Sequence, residues 1–191
     1  MIKKLVLLIA VVIFCLSCGG ISSAAQLQVG PGEQYTQLQE AVDAAQSGDQ
    51  IIVKPGRYEA DMPVYLKGKQ NLQIAGEGQV DIICTQMDKN VIQLEACENI
   101  QLSNLHAQHD PGVTIRTCNG AVVLVGNSQK IRIEGCELNG SGAIGVKCYK
   151  SQEITIARNN IHNNSLFGIW LIDTGPVVIE ENIITKNRIA F

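Results

Sequence analysis

The sequence predicts an all-β solenoid, in which short parallel strands stack along one axis, preceded by a single short helix. Three observations support this prediction. Residues 128–150 and 151–173 are two 23-residue segments that share one apolar skeleton. Within each segment, apolar residues alternate with polar ones, as they do in strands with one buried face. Near the N-terminus, residues 36–47 instead have apolar residues at helical spacing.

The repeated segments keep their apolar positions and change nearly everything else. Five residues recur unchanged after 23 positions: Ser128, Gln129, Ile131, Ile133 and Gly145 recur as Ser151, Gln152, Ile154, Ile156 and Gly168. Four more recur as other apolar residues: Leu138, Ile144, Val146 and Cys148 recur as Ile161, Phe167, Ile169 and Leu171. The same phase extends to residues 98–107 and 175–184. A fixed period of this length predicts a solenoid whose units bury their apolar faces against one another.

Each unit has room for three short strands and none for a helix. Leucine-rich repeats have a similar length, but they need a leucine-dominated pattern and a helix-length segment. Here Ile and Val dominate, and Gly and Asn mark the turns, which predicts a parallel β-helix. Asn159 and Asn182 are 23 residues apart, as are Asn164 and Asn187. We expect these residues to adopt left-handed turns and to hydrogen-bond to the equivalent Asn one coil away.

A short amphipathic helix is predicted over about residues 36–47, before a first strand at Ile51–Val53. Thr36 and Gln39 predict a capping box, and Ser47-Gly48-Asp49 ends the helix. We expect the helix to cover the open end of the solenoid, where strand edges would otherwise be unpaired. Its apolar side consists of Leu38, Ala41, Val42 and Ala45.

The first 25 residues have the order of a secretory signal peptide, with cleavage expected after Ala25. Lys3 and Lys4 precede an apolar run, from Leu5 to Leu16, that is too short to span a bilayer. This predicts a mature domain of residues 26–191 that is secreted or periplasmic. Lipid attachment at Cys18 is the less favoured alternative, because the residues before it match a bacterial lipobox poorly.

Charge argues against a nucleic-acid partner. Loss of Lys3 and Lys4 would take the formal net charge from −3 to −5. No block of Lys and Arg remains, and nothing resembles the basic stripe of a nucleic-acid-binding protein.

Five cysteines remain after the signal peptide, and neither their number nor their spacing indicates a disulfide framework. Export would permit disulfides. However, Cys136 and Cys148 occupy positions that hold Asn159 and Leu171 in the next coil. We therefore interpret them as residues that fill the stack.

The opening segment and the later coils resemble right-handed parallel β-helix proteins of the pectin-lyase-like superfamily. LQEAVDAA, GDQIIVKPGRY and NLQIAGEG are similar to the start of these proteins. The later coils resemble the repeats of carbohydrate-binding and sugar-hydrolase β-helices and of the nitrous-oxide-reductase maturation protein. The resemblance covers about residues 29–191 and implies a right-handed parallel β-helix with a short N-terminal capping helix. It implies no single activity, since the superfamily includes lyases, hydrolases, esterases, epimerases and proteins without known catalysis.

By this resemblance, residues 121–126, 143–148 and 167–172 are the first strands of successive coils. If Val146 and Ile169 face inward, then Lys147, Tyr149 and Trp170 face outward. Coils about 4.8 Å apart would bring Lys147 against Trp170. A Trp beside Lys and Tyr forms a platform on which sugar rings can stack. The alternative is that Trp170 covers the solenoid surface or lies beneath a C-terminal segment.

A longer turn, residues 108–119, interrupts the repeat. The turn after Ala107 is nine residues longer than its counterpart, and extra residues in a solenoid form loops on one face, often the binding face. We expect this loop to add side chains to the platform. The predicted substrate-binding residues are Lys147, Tyr149, Trp170, His109 and Arg116.

The same stretch holds residue types that bind transition metals. His106, His109, Asp110 and Cys118 lie close together in the sequence. However, His106 alternates with Leu105 and Ala107, as a residue that faces solvent from a strand does. We therefore assign no metal site, and we interpret His162 as a solvated turn residue.

Catalytic machinery is hard to find. Glycoside hydrolysis needs paired carboxylates, and on the outward side of the first strands only Glu95 qualifies, with Asp110 in the loop as a second weak candidate. The leading hypothesis is an exported protein that binds carbohydrate or cell-envelope polysaccharide. The alternatives are a polysaccharide lyase, hydrolase or epimerase, with Ca²⁺ implied only for a lyase, and a structural or metal-related maturation protein.

The last coil is expected to leave an open edge. It begins normally at Val177 and Ile179 but reaches NRIAF where a first strand should start. Terminal coils usually carry a polar cap. We therefore expect this edge to be covered by further sequence or by another chain.

Overall fold

The computed structural model describes residues 24–110, 119–140 and 143–191. Most of the predicted signal peptide lies outside these ranges, and so do Arg116 and Cys118 of the long turn. Within the described ranges, no helix is long and apolar enough to cross a membrane.

The described residues form eighteen strands and one helix. In chain order they are β1 (Gln26–Val29), α1 (Leu38–Ala44), β2 (Gln50–Val53), β3 (Gly56–Ala60), β4 (Val64–Lys67), β5 (Gln70–Gly76), β6 (Val80–Cys84), β7 (Ile92–Glu95), β8 (Glu98–Ser103), β9 (His106–His109), β10 (Ala121–Gly126), β11 (Gln129–Glu134), β12 (Glu137–Asn139), β13 (Ile144–Tyr149), β14 (Gln152–Ala157), β15 (Asn160–His162), β16 (Phe167–Ile172), β17 (Val177–Glu180) and β18 (Ile183–Thr185).

These strands form three sheets, in which every paired strand runs parallel to its neighbour. Sheet 1 is ordered β4-β7-β10-β13-β16, sheet 2 is ordered β1-β2-β5-β8-β11-β14-β17, and sheet 3 is ordered β3-β6-β9-β12-β15-β18. Successive coils therefore place one strand in each sheet in turn. The register is the 23-residue repeat itself, since Val146 pairs with Ile169 and Ile133 pairs with Ile156. The prediction of a parallel β-solenoid is confirmed.

The core consists of the apolar residues that the repeat conserves. Ile131, Ile133, Ile154 and Ile156 are each at most 1% exposed and belong to one continuous cluster. Each buried side chain of this size contributes about 1.5–3 kcal/mol relative to an exposed one. Each middle coil packs its inward side chains against the equivalent positions of the coil before it and the coil after it. A polar or wrongly sized side chain at such a position would therefore disturb two interfaces at once.

A polar ladder inside the turns between sheets 2 and 3 supports this core. Asn159 is 1% exposed, and its Oδ1 accepts the Cys136 N–H at 2.9 Å. Its Nδ2 donates to the Ile133 carbonyl at 2.9 Å and to the Oδ1 of Asn182 at 3.0 Å. The predicted hydrogen bond between equivalent asparagines is therefore confirmed. The predicted left-handed backbone is wrong for all four asparagines of the two pairs. The residue before each one takes that conformation instead: Arg158 (φ 55°), Asn163 (φ 56°), Glu181 (φ 55°) and Lys186 (φ 52°).

The N-terminal helix is shorter than predicted, and its N-cap is Gln37, one residue after the predicted Thr36. It spans Leu38–Ala44 with Gln37 as N-cap, and Glu40 accepts the Gln37 N–H at 3.1 Å. The expected capping box of Thr36 with Gln39 is therefore wrong, because Glu40 supplies the carboxylate three residues after the cap. The first strand also comes earlier than predicted, since β1 precedes the helix and pairs with β2.

The helix covers the free edge of sheet 1, as its predicted role requires. The Tyr65 N–H donates to Gln39 Oε1 at 2.7 Å, and Gln39 Nε2 donates to the Tyr65 carbonyl at 3.2 Å. One glutamine side chain thus takes the place of a neighbouring strand on β4. Backbone groups at this edge would otherwise be open to pairing with another chain.

The four cysteines in the described residues, Cys84, Cys97, Cys136 and Cys148, are all buried in the core. Burial raises the pKa of Cys136 to about 11 and that of Cys148 to about 12. The interpretation of Cys136 and Cys148 as residues that fill the stack is confirmed.

The last coil is the most exposed part of the solenoid. Val178 and Ile183 are 48% and 61% exposed, and Phe191 is 67% exposed. Phe167 forms a parallel bridge with Ile189, so the backbone continues toward sheet 1. The expectation that further sequence or another chain covers this edge stays a prediction.

We predict that Asn159→Ala lowers the free energy of unfolding by about 2–4 kcal/mol, because it leaves the buried Cys136 N–H and Ile133 carbonyl without partners. Thermal or urea denaturation followed by circular dichroism measures this change. Asn160→Ala is the matched control, since its side chain faces outward, and its effect should stay within about 0.5 kcal/mol. Equal effects of the two substitutions would contradict the role given to the ladder.

Candidate functional site

The outer face of sheet 1 brings together the aromatic and cationic residues that the sequence singled out. Lys147 of β13 pairs in register with Trp170 of β16. The Lys147 Nζ lies 5.0 Å from the centroid of the Trp170 ring, within the range of a cation–π contact. Trp170 is 38% exposed. The predicted contact between these two side chains is therefore present.

Phe167 completes the platform, and the sequence analysis missed it. Its ring stacks on Trp170 with centroids 5.2 Å apart and an interplanar angle of 25°. It packs with Leu124 against Ala121, Ala143 and Ile144, in a small apolar cluster separate from the main core. The repeat alignment had treated Phe167 as a core residue equivalent to Ile144. The available signal was the change from Ile to an aromatic residue three positions before Trp170.

Lys147 carries a positive charge that no neighbouring acid neutralises. No salt bridge involves it among the residues that the structure describes. Its ammonium group therefore keeps donor capacity for a ligand beside the indole ring. Lys147, Phe167 and Trp170 together form what we call the aromatic platform.

Tyr149 lies on the same face but is held by Glu95. Its hydroxyl donates to Glu95 Oε2 at 2.6 Å, and Asn127 Nδ2 donates to Glu95 Oε1 at 2.5 Å. Glu95, Gly126 and Tyr149 are in register on three successive strands. Tyr149 thus reaches across a whole coil, over Gly126, to meet the carboxylate.

Gly126 makes this reach possible. A Cβ at this position would lie 2.3 Å from Tyr149 Cζ and 2.4 Å from Glu95 Oε2. Any other residue would therefore occupy the space that the tyrosine ring crosses. The hydrogen bond to Glu95 is the main cause that raises the pKa of Tyr149 to about 12, followed by partial burial and the charges of Glu95 and Tyr65.

The two weak catalytic candidates follow strands of different sheets. Glu95 ends β7 of sheet 1 and is in register with Gly126, the last residue of β10. Asp110 instead follows β9 of sheet 3, where its N–H donates to the Cys84 carbonyl. Their roles as catalytic residues stay predictions.

His109 does not join the platform. It is fully buried, and its Nε2 lies 2.8 Å from the Lys89 carbonyl. Burial lowers its pKa, and the bond to Lys89 opposes this shift. His109 faces inward because it shares a side of β9 with Ala107. Arg116, the other predicted loop residue, lies outside the described residues.

The other two histidines lie on the outer face of sheet 3. His106 Nδ1 lies 2.6 Å from Asp81 Oδ1, and His162 Nε2 lies 3.0 Å from Glu137 Oε1. His162 ends β15 with its side chain 16% exposed, so its interpretation as a solvated turn residue is wrong. His106 and His109 face opposite sides of β9. Nowhere in the described ranges do three or more His, Cys, Asp or Glu residues form a group that could hold a metal ion.

The architecture and the sequence both match a known family. The model of the right-handed β-helix region matches residues 90–190, which is more than half of the chain. The chain belongs to this right-handed β-helix family. The predicted right-handed parallel β-helix is thereby confirmed.

Solved structures with the same fold include viral and pectin-modifying proteins. Geobacillus virus E2 ORF18 has a TM-score of 0.58 and 14% identity over 69% of this chain, which spans 28% of that protein. A pectin methylesterase variant in complex with a hexasaccharide has a TM-score of 0.54 and 11% identity, over 84% of this chain and 67% of its own. The tailspike protein 2 of bacteriophage CBA120 has a TM-score of 0.48 and 15% identity, over 71% of this chain and 24% of the tailspike chain. At these identities the similarity shows the fold alone.

We predict that Glu95→Gln lowers the pKa of Tyr149 from about 12 toward the ordinary value of 10. The carboxylate stabilises the protonated hydroxyl, so its removal makes the tyrosine more acidic. The stabilisation from this bond is present below about pH 10 and is lost as the pH rises through about 12. Ultraviolet titration of tyrosinate measures the shift, with Tyr149→Phe identifying the signal of this residue. An unchanged titration would show that the bond is absent in solution.

We further predict that Gly126→Ala displaces Tyr149 from Glu95 by steric overlap. The same titration should then show a more acidic Tyr149, although both bonding partners are intact. Gly175→Ala is the matched control, since a Cβ at Gly175 meets no atom within 4 Å. A Tyr149 titration in Gly126→Ala that equals that of the parent protein would contradict the packing described above.

Proposed function

We propose that this protein binds carbohydrate, as part of a cell-envelope or extracellular polysaccharide, through the outer face of sheet 1 and without turning it over. The observation that carries this proposal is the aromatic platform. Trp170 presents a large, partly exposed indole ring on sheet 1. The Phe167 ring stacks on this indole, and Lys147 lies beside it.

The chemistry of the platform suits a sugar ring. One face of a pyranose carries C–H groups, which pack against an aromatic ring with the exclusion of water. The ring hydroxyls need donors and acceptors at the edge of that contact. The Lys147 ammonium supplies donors, and the carboxylate of Glu95 with the Tyr149 hydroxyl supplies a polar end of the same face. Aromatic side chains on a rigid sheet also bind with little loss of side-chain entropy, because they have only two rotatable bonds.

The fold supports the same class of ligand. The similar pectin methylesterase variant was solved in complex with a hexasaccharide. A predicted signal peptide in residues 1–25 would export the chain to the compartment where such polymers occur. Both oxygens of the Glu95 carboxylate accept hydrogen bonds, from Tyr149 and Asn127, which favours a binding role over general acid–base work in glycoside hydrolysis.

We predict that Trp170→Ala lowers the affinity for glycans by roughly tenfold or more, as expected for an aromatic residue central to a binding surface. A glycan array followed by calorimetry on the best ligand measures the change. Ile183→Ala is the matched control, because Ile183 is also exposed and apolar but lies on sheet 3. Binding that survives Trp170→Ala would remove the proposed site. Release of unsaturated or reducing ends from the bound polymer would show that the protein is an enzyme.

A further inference from the structure

The platform is one end of a longer row of outward side chains. Register pairs connect five strands of sheet 1 along the solenoid axis, in the order Tyr65, Gln93, Leu124, Lys147 and Trp170. Coils stack about 4.8 Å apart, so the row extends for about 19 Å. An exposed aromatic residue stands at each end, since Tyr65 is 36% and Trp170 is 38% exposed.

We propose that Tyr65 forms a second stacking subsite, so that the ligand is an extended glycan of at least five sugar units lying along the solenoid axis. This proposal rests on the proposed function, because it extends the same binding face. In an extended polysaccharide, each pyranose advances the chain by a distance similar to one coil. A chain laid along the row therefore places about one sugar over each strand.

The Tyr65 subsite is held rigidly. Gln39 of the capping helix binds both the N–H and the carbonyl of Tyr65, which fixes the backbone of β4. Because the helix covers the free edge of β4, the row ends there. Tyr65 therefore marks one limit of the binding face, since β4 is the edge strand of sheet 1.

The middle of the row supplies polar contacts. Asn90 Nδ2 donates to Gln93 Oε1 at 2.9 Å, which orients the Gln93 amide. Glu95 and Tyr149 lie in the adjacent outward row, two residues further along their strands than Gln93 and Lys147. The centre of the face thus offers an amide and a carboxylate to sugar hydroxyls, between two aromatic ends. A glycan of two units would reach only one of these aromatic residues.

Affinity should therefore depend on chain length. The probes are size-graded oligosaccharides, from disaccharide to octasaccharide, of β-1,4-glucan, β-1,4-xylan, β-1,4-mannan and α-1,4-galacturonan. In the series that binds, affinity should rise up to about the pentasaccharide and then level off. Tyr65→Ala should weaken binding of the pentasaccharide and longer chains roughly three- to tenfold, as for one stacked ring, and leave the disaccharide unchanged. Tyr65→Phe should retain the affinity of the parent protein.

The outcomes separate the two proposals. If Trp170→Ala weakens binding while Tyr65→Ala leaves the affinity of long chains unchanged, the Tyr65 subsite is overturned and the proposed function stands. A plateau already reached at the disaccharide in the parent protein overturns the subsite as well, even if Tyr65→Ala does not fold. If no series binds and no other glycan on the array binds, the proposed function fails and this inference fails with it.

Discussion

Everything in this structure depends on the parallel register of one coil on the next. Backbone hydrogen bonds fix neighbouring coils about 4.8 Å apart. Each inward side chain therefore packs on its equivalent one coil away, as Ile133 does on Ile156. Because the stacking is periodic, a single repeat pattern builds the core and also orders the outer face. The same register that buries Val146 against Ile169 brings Lys147 against Trp170.

This constraint explains why the outer residues need no special scaffold. Inward positions are restricted to side chains that fill a column, while outward positions are free to vary. Tyr149 reaches Glu95 only because Gly126 lies between them in the same column. This contact is thus a product of three coils, and no single repeat contains it.

The sequence predicted the parts that follow from the period. The solenoid and the contact of Lys147 with Trp170 follow from 23-residue spacing and strand alternation, and the capping helix follows from the helical spacing of its apolar residues. It did not predict interactions that depend on a single side chain. Examples are Gln39, which takes the place of a strand against Tyr65, and Phe167, which the repeat had placed in the core. The pattern also did not predict the direction of a side chain at the end of a strand. His109 was expected in a binding loop, but it faces the interior beside Ala107.

Trp170 is the one tryptophan of the chain, so its fluorescence reports directly on the proposed binding face. The most direct measurement is a titration of the protein with the glycan selected on the array, following tryptophan emission. A sugar that stacks on the indole excludes water from it, so a saturable change in emission is expected, usually a shift to shorter wavelength. The concentration at half-change should equal the Kd from calorimetry. Calorimetric binding without any change in tryptophan emission would show that the ligand binds elsewhere, and would contradict this account.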